Sequence, residues 1–166
     1  TGGVTNNDWF PLSNADGFVS QVDPTDFNTI YAETQGGNIY RQDLRTGQRT
    51  GVRPSPPEVD GEDEPQRYRF DWNAPFFISP HNPRTLYMGG KMVFKSVNRG
   101  DNWETISPDL TSTEDEPAAA IVSLAESPLL PGLLWAGTND GNVFLRREGS
   151  VEWTLLNDNF SNAPER

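Results

Sequence analysis

Short runs in which apolar and polar residues alternate, separated by turn residues, extend along most of the chain. Examples rich in aromatic and β-branched residues are FVSQV (18–22), NIY (38–40) and MVFKSV (92–97). Alternation with a period of two predicts β-strands, and this residue content favours them as well. No long segment has a helical period, so the pattern predicts an all-β protein.

Three segments of the chain share a longer pattern: FVSQVDPTDFNTIYAET (18–34), PFFISPHNPRTLYMGG (75–90) and IVSLAESPLLPGLLWAGT (121–138). In each, a proline precedes an aromatic residue by seven positions. The pairs are Pro24 and Tyr31, Pro80 and Tyr87, and Pro128 and Trp135. The prolines lie 56 and 48 residues apart, close to the roughly 40–50-residue spacing of β-propeller blades.

Each segment continues with two further strand-like runs. The first run ends in an aromatic residue: NIY (38–40), MVF (92–94) and NVF (142–144). The second follows a polar turn: QRTGVR (48–53), WETIS (103–107) and WTLLN (153–157). Glycine-rich turns separate the runs, at GG (36–37), GG (89–90) and NDG (139–141), and we expect these glycines to adopt positive φ in hairpins. Each repeat therefore predicts four short strands.

The predicted fold is a β-propeller segment of three four-stranded antiparallel blades that occupies the whole chain, 1–166. The blades are predicted at 17–53, 72–107 and 118–157, with acidic, proline-bearing loops at 54–67 and 111–117. DWFPLS (8–13) resembles NWETIS (102–107) and predicts an orphan strand, the outer strand of a preceding blade. We expect Trp9 to pack in the core or between blades, as do the aromatic residues that recur at matching blade positions: Tyr31, Tyr87, Trp103, Trp135 and Trp153. Because three blades do not easily close a ring of the usual four to eight, we expect the chain to be part of a larger propeller.

A polar turn followed at once by tryptophan, SVNRGDNW (96–103), resembles the Asp-box or BNR motif of pattern S-x-D-x-G-x-x-W. The matching residues are Ser96, Asn98, Gly100 and Trp103, with Asn98 in place of the usual aspartate. In this motif a side-chain oxygen caps turn N–H groups, glycine adopts an unusual φ, and tryptophan folds back over the hairpin. We therefore assign these four residues a structural role.

The stretches 16–48, 70–111 and 125–144 make the chain resemble bacterial BNR-repeat propeller proteins that carry a glycosyl hydrolase label, within the sortilin- and sialidase-like propeller superfamily. The resemblance implies a secreted, periplasmic or cell-surface bacterial protein. It does not imply an activity, because the Asp-box is structural and lies opposite the usual ligand face. No catalytic residue is transferred from the family.

Candidate ligand residues precede the first strand of two blades. Asp16 and Asp71 are candidates for the two carboxylates of a glycosidase, with Trp72 as a sugar-stacking platform and Asn73 beside it. The alternative is that the carboxylates cap turns and that Trp72 packs between blades. Arg69 is a candidate ligand contact or, alternatively, part of an inter-blade ion pair or stack.

Charge and composition exclude several classes of function. The net charge is −11, so we expect no nucleic-acid partner, since phosphate binding needs clustered Lys and Arg. The chain has no cysteine, which excludes thiolate chemistry, and no apolar run of membrane length, so we expect no membrane insertion. VDGEDE (59–64) suggests Ca²⁺ but lacks the spacing of a known calcium loop, so no cofactor or metal is predicted.

Three functions remain open. The first is a non-catalytic scaffold or interaction segment whose partner is the remainder of the propeller or another protein chain. The alternative is part of a carbohydrate-active glycoside hydrolase that uses Asp16 and Asp71, with carbohydrate as the ligand. The second alternative is a receptor-like peptide-binding propeller. Fold alone does not decide among them.

Overall fold

The computed structural model describes residues 2–6, 9–57, 68–111 and 119–157. They form three four-stranded antiparallel sheets, so the predicted all-β, propeller-like fold is confirmed. Sheet 1 contains β1 (Gly17–Asp23), β2 (Asp26–Thr34), β3 (Asn38–Asp43) and β4 (Arg49–Gly51). Sheet 2 contains β5 (Phe76–Ile78), β6 (Leu86–Gly89), β7 (Val93–Ser96) and β8 (Glu104–Thr105). Sheet 3 contains β9 (Ile121–Glu126), β10 (Leu134–Thr138), β11 (Val143–Arg146) and β12 (Thr154–Leu155).

Strands that are consecutive in the chain are neighbours in every sheet. The start of each first strand therefore lies at the same end of its sheet as the turn between the second and third strands. We call this end the upper face; Gly17 lies there and pairs with Thr34. We call the opposite end, which carries the β1–β2 and β3–β4 connections and their equivalents, the lower face.

The hydrophobic core lies between successive sheets. Between sheets 1 and 2, buried side chains from both sheets pack in one cluster that includes Tyr31, Ile39, Phe76, Met88 and Phe94. Between sheets 2 and 3 the cluster consists of Val93, Leu110, Ile121 and Ala136. Burying one large aliphatic or aromatic side chain stabilises a fold by about 1.5–3 kcal/mol, so these two layers hold the sheets together in chain order.

The glycines at 89–90 have a different role from the one predicted. Gly36, Gly37 and Gly141 have positive φ, as expected of hairpin turns, but Gly89 and Gly90 do not. A Cβ on Gly89 would lie 2.8 Å from the Ile121 side chain, and one on Gly90 would lie 2.6 Å from a backbone carbonyl oxygen. Gly89 therefore allows sheet 3 to pack closely on sheet 2, and Gly90 allows the close approach of the segment that precedes β5.

The predicted orphan strand does not form in the described part of its segment, since residues 9–13 contain no strand. They lie beside sheet 1 through side chains instead: the Tyr40 hydroxyl and Arg49 Nη2 both donate to the Leu12 carbonyl oxygen. Trp9 is 75% exposed rather than packed. A strand requires backbone pairing with a neighbouring strand, whereas the hydrogen bonds between Leu12 and sheet 1 come from side-chain donors.

Candidate functional site

The two segments that carry the candidate carboxylates lie on the upper face. Asp16 directly precedes β1 and is exposed. The loop 71–73 precedes β5, and the Trp72 carbonyl oxygen accepts a hydrogen bond of 2.9 Å from the Gly36 amide. The turn that contains Gly36 closes the same end of sheet 1 at which Asp16 lies. The structure thus brings both candidate segments to one face.

Asp71 and Trp72 differ in their surroundings. Asp71 Oδ1 accepts a 2.9 Å hydrogen bond from the Asn73 amide. The carboxylate thus caps its own turn, which is the alternative to a ligand role that the sequence left open. Trp72 is 63% exposed, so it does not pack between sheets, and Asn73 is exposed beside it. The loop therefore offers an open indole ring next to a carboxylate that already stabilises its own turn.

Arg69 connects sheet 2 to the start of sheet 3. Its Nε donates to the Ala119 carbonyl oxygen at 2.7 Å, and its Nη2 donates to Thr111 Oγ1 at 2.8 Å. Asp109 Oδ2 lies 3.9 Å from Nη2. Since these contacts are with neighbouring chain segments, the guanidinium group links sheet 2 to the segments before sheet 3.

Glu33 is a buried carboxyl group that the sequence analysis missed. It is 1% exposed, and neither carboxylate oxygen has a hydrogen-bond partner among the described residues. Burial raises the pKa of Glu33 to about 7, and the nearby Ala74 amide acts in the opposite direction. Its position two residues after Tyr31 could have indicated its burial, since alternate residues of a strand share a face.

The Ser96–Trp103 hairpin on the lower face is closed by side-chain caps. Ser96 Oγ accepts hydrogen bonds from the Gly100 and Asn98 amides at 2.9 and 3.3 Å. Asn98 Oδ1 accepts one from the Asn102 amide at 3.0 Å. Gly100 has a φ of 88°. A neutral amide oxygen thus occupies the capping position at which the motif has a carboxylate.

The tryptophan after each hairpin bonds to the preceding sheet. Trp103 Nε1 donates to the Val52 carbonyl oxygen at 2.8 Å, and Trp153 Nε1 donates to the Ile106 carbonyl oxygen at 2.9 Å. Val52 directly follows β4, and Ile106 directly follows β8. The motif predicts that each indole folds over its own hairpin; the structure adds a repeated link from that hairpin to the end of the outer strand of the preceding sheet.

One member of the repeated aromatic set is open to solvent. Tyr31 and Tyr87 are 0% and 2% exposed, but Trp135 at the equivalent position of β10 is 41% exposed. Tyr31 contacts Phe76 of sheet 2, and the Tyr87 hydroxyl donates to Glu126 of sheet 3. The described residues include no further sheet beyond sheet 3. Among the described residues, no sheet packs on the face of sheet 3 that carries Trp135.

The fold matches parts of two larger solved structures. One is the crystal structure of the Niastella koreensis GH74 enzyme, with 18% identity, a TM-score of 0.55, and coverage of 84% of this chain and 22% of that one. The other is the structure of U3-55K, with 11% identity, a TM-score of 0.52, and coverage of 87% and 39%. At such identities the likeness shows the fold alone. No family model and no curated protein matches the chain.

The described residues hold no group of three or more His, Asp or Glu side chains placed to bind a metal ion. The acidic segment 59–64 lies outside the described residues. In the described ranges we also find no helix with the length and apolar character needed to cross a bilayer.

Proposed function

We propose that the chain is a non-catalytic scaffold or interaction segment of a secreted BNR-repeat propeller, and that a further four-stranded sheet covers its sheet 3. The exposure of Trp135 carries this proposal. At the equivalent positions, Tyr31 and Tyr87 are buried by the sheet that follows. Large aromatic side chains are favoured at the centre of interfaces, so an indole that is 41% exposed at this position suits a partner that completes the packing.

The capped hairpin that ends at Trp103 supports assignment to the BNR-repeat class, since serine, amide and glycine act there as that motif requires. The two similar structures are much longer than this chain, which spans 22% and 39% of them. The covering sheet therefore belongs either to the remainder of the same propeller or to another protein chain. The proposal includes a secreted, periplasmic or cell-surface location and requires no cofactor.

Self-association of the chain tests this proposal. At micromolar concentration the chain should associate, as measured by light scattering after size-exclusion chromatography, because sheet 3 lacks a cover. Trp135→Gln should weaken association, whereas Trp72→Gln, which removes an exposed indole from the upper face, should not. A wild-type chain that remains a monomer, or equal effects of the two substitutions, would contradict the proposal.

A second candidate is a part of a glycoside hydrolase, which is favoured by the similarity to a GH74 enzyme and by the exposed Trp72 beside Asp71 on the upper face. A glycosidase needs two carboxylates across the scissile bond, and Asp16 is the second candidate. Under this hypothesis Asp16→Asn and Asp71→Asn abolish hydrolysis of a glycan panel and leave thermal stability nearly unchanged. If Asp71→Asn mainly lowers stability, its carboxylate is a turn cap only.

A further inference from the structure

The lower face contains two equivalent pockets, one between sheets 1 and 2 and one between sheets 2 and 3. The first has a volume of about 310 Å³, and the second of about 230 Å³. Three arginines line the first pocket: Arg41 from β3, Arg84 from the β5–β6 connection and Arg99 from the β7–β8 hairpin. The chain has 13 Lys and Arg residues against 24 Asp and Glu, whereas the lining of this pocket has three arginines against two aspartates, Asp43 and Asp101.

The repeat supplies an internal comparison for these arginines. Arg84 lies four residues after Pro80, and Gly132 lies four residues after Pro128. Arg99 lies four residues before Trp103, where sheet 3 has Gly149 before Trp153. Both glycines line the second pocket. The fold therefore forms this kind of pocket without an arginine at either position.

Arg99 also adopts a backbone conformation that favours glycine. Its φ is 65°, and it is the one non-glycine residue with positive φ in the described ranges; the equivalent Gly149 has a φ of 75°. A non-glycine residue in the left-handed region is strained, and such strain is concentrated at functional sites. The strain at Arg99 places a guanidinium group at the pocket where glycine would be the relaxed choice.

The carboxylates near the pocket already have other partners. Asp101 Oδ1 lies 2.9 Å from Arg41 Nη2. Asp23 Oδ2 lies 3.0 Å from Arg99 Nη2, close enough for attraction although it is not aligned for a hydrogen bond. Asp43 Oδ1 caps its own hairpin, accepting hydrogen bonds of 2.7 and 3.3 Å from backbone amides. These contacts leave one arginine of the pocket without a carboxylate.

That arginine is Arg84. Its side chain is exposed at the pocket, and its guanidinium group has no hydrogen-bond or ion-pair partner among the described residues. A guanidinium group presents paired N–H donors whose geometry matches two oxygens of a carboxylate, sulfate or phosphate. We propose that the pocket between sheets 1 and 2 binds a small oxyanion through Arg84, which shares the pocket with the ion-paired Arg41 and Arg99. This proposal is independent of the scaffold function.

Titration of the chain with sodium sulfate, sodium phosphate and sodium acetate tests the site. Ionic strength is held constant with sodium chloride, and binding is followed by NMR of the backbone amides and the arginine Nε–H groups. At least one oxyanion should give saturable shifts at the three pocket arginines. Tighter binding of sulfate and phosphate would assign a tetrahedral anion, and tighter binding of acetate a carboxylate.

Three variants separate a site from general charge attraction. Arg84→Ala should weaken binding about tenfold or more, because it removes charge-assisted hydrogen bonds. Arg147→Ala, which removes an exposed guanidinium group outside the pocket, should leave the dissociation constant unchanged. Asp101→Asn should strengthen binding several-fold, because it releases Arg41 from its ion pair. Each variant's melting temperature verifies folding.

Three outcomes overturn the proposal. The first is the absence of saturable shifts with all three salts. The second is equal binding by the wild-type chain and Arg84→Ala. The third is equal weakening by Arg84→Ala and Arg147→Ala, which would mean that only the overall charge matters.

Discussion

Replacement of Glu33 by glutamine should remove a pH-dependent loss of stability. Glu33 is 1% exposed, and its carboxylate oxygens have no hydrogen-bond partner among the described residues. Burial raises its pKa from 4.5 to about 7, because surroundings of low polarity disfavour the charged form. Between pH 4.5 and about 7 the folded protein therefore retains a proton on Glu33 that the unfolded chain releases.

The sign and size of the effect follow from this difference. Between pH 4.5 and about 7 the folded state binds more protons than the unfolded state, so the free energy of unfolding decreases as pH rises. At about 1.4 kcal/mol per pH unit, the rise in pKa corresponds to about 3 kcal/mol. The loss is absent below the unfolded pKa and complete above the folded pKa. Glu33→Gln should thus match the wild type near pH ~4 and be more stable by up to about 3 kcal/mol near pH ~8.

Urea unfolding followed by tryptophan fluorescence at a series of pH values measures this difference. Glu152→Gln is a matched control, because Glu152 is exposed in the β11–β12 hairpin; its effect should stay within about 0.5 kcal/mol at every pH. If the difference between Glu33→Gln and the wild type is the same at acidic and basic pH, the carboxyl group is not held neutral by burial.

The remaining predictions compare pairs of matched substitutions, with urea unfolding as the measurement. Tyr31→Phe should be neutral or stabilise the fold by about 1 kcal/mol, because the buried Tyr31 hydroxyl has no partner among the described residues. Tyr87→Phe should destabilise it by about 1 kcal/mol, because the Tyr87 hydroxyl bonds to Glu126. Effects of the same sign would refute this reasoning. Gly100→Ala and Gly149→Ala both place a side chain at positive φ, but only the first puts a Cβ 2.8 Å from the side chain of Val52, the residue directly after β4. Gly100→Ala should therefore cost about 1–3 kcal/mol more, and equal losses would show that the contact relaxes freely.

The architecture was predictable because its signals are local. Alternation along each strand and the fixed step from proline to aromatic residue located all three sheets. The outer strands are shorter than predicted: WETIS (103–107) contains only Glu104–Thr105, and WTLLN (153–157) contains only Thr154–Leu155. In both runs the tryptophan turns its indole toward the carbonyl of the preceding sheet instead of extending the strand pairing.

The candidate site was less predictable because it depends on packing between sheets. The sequence assigns Trp135 the same role as Tyr31 and Tyr87, and only the order of the sheets shows that the last of the three is uncovered. Arg69 was expected to meet a ligand or to form an inter-blade ion pair or stack. Its hydrogen bonds go to a threonine hydroxyl and a backbone carbonyl, and the Asp109 carboxylate is farther away. Because every residue has a backbone carbonyl group, the residue types in a sequence do not show which carbonyl will accept such a hydrogen bond.

The three repeats together separate what the fold requires from what it only tolerates. Glu33 lies two residues after Tyr31, and the equivalent residue two positions after Tyr87 is Gly89. Arg99 has Gly149 as its equivalent. A buried carboxyl without a partner and an arginine at positive φ both carry an energetic cost, and in each case another repeat of the same chain builds the position with glycine. Since the sheet forms either way, folding does not explain these two side chains, and the surfaces around them are where a function beyond packing should be sought first.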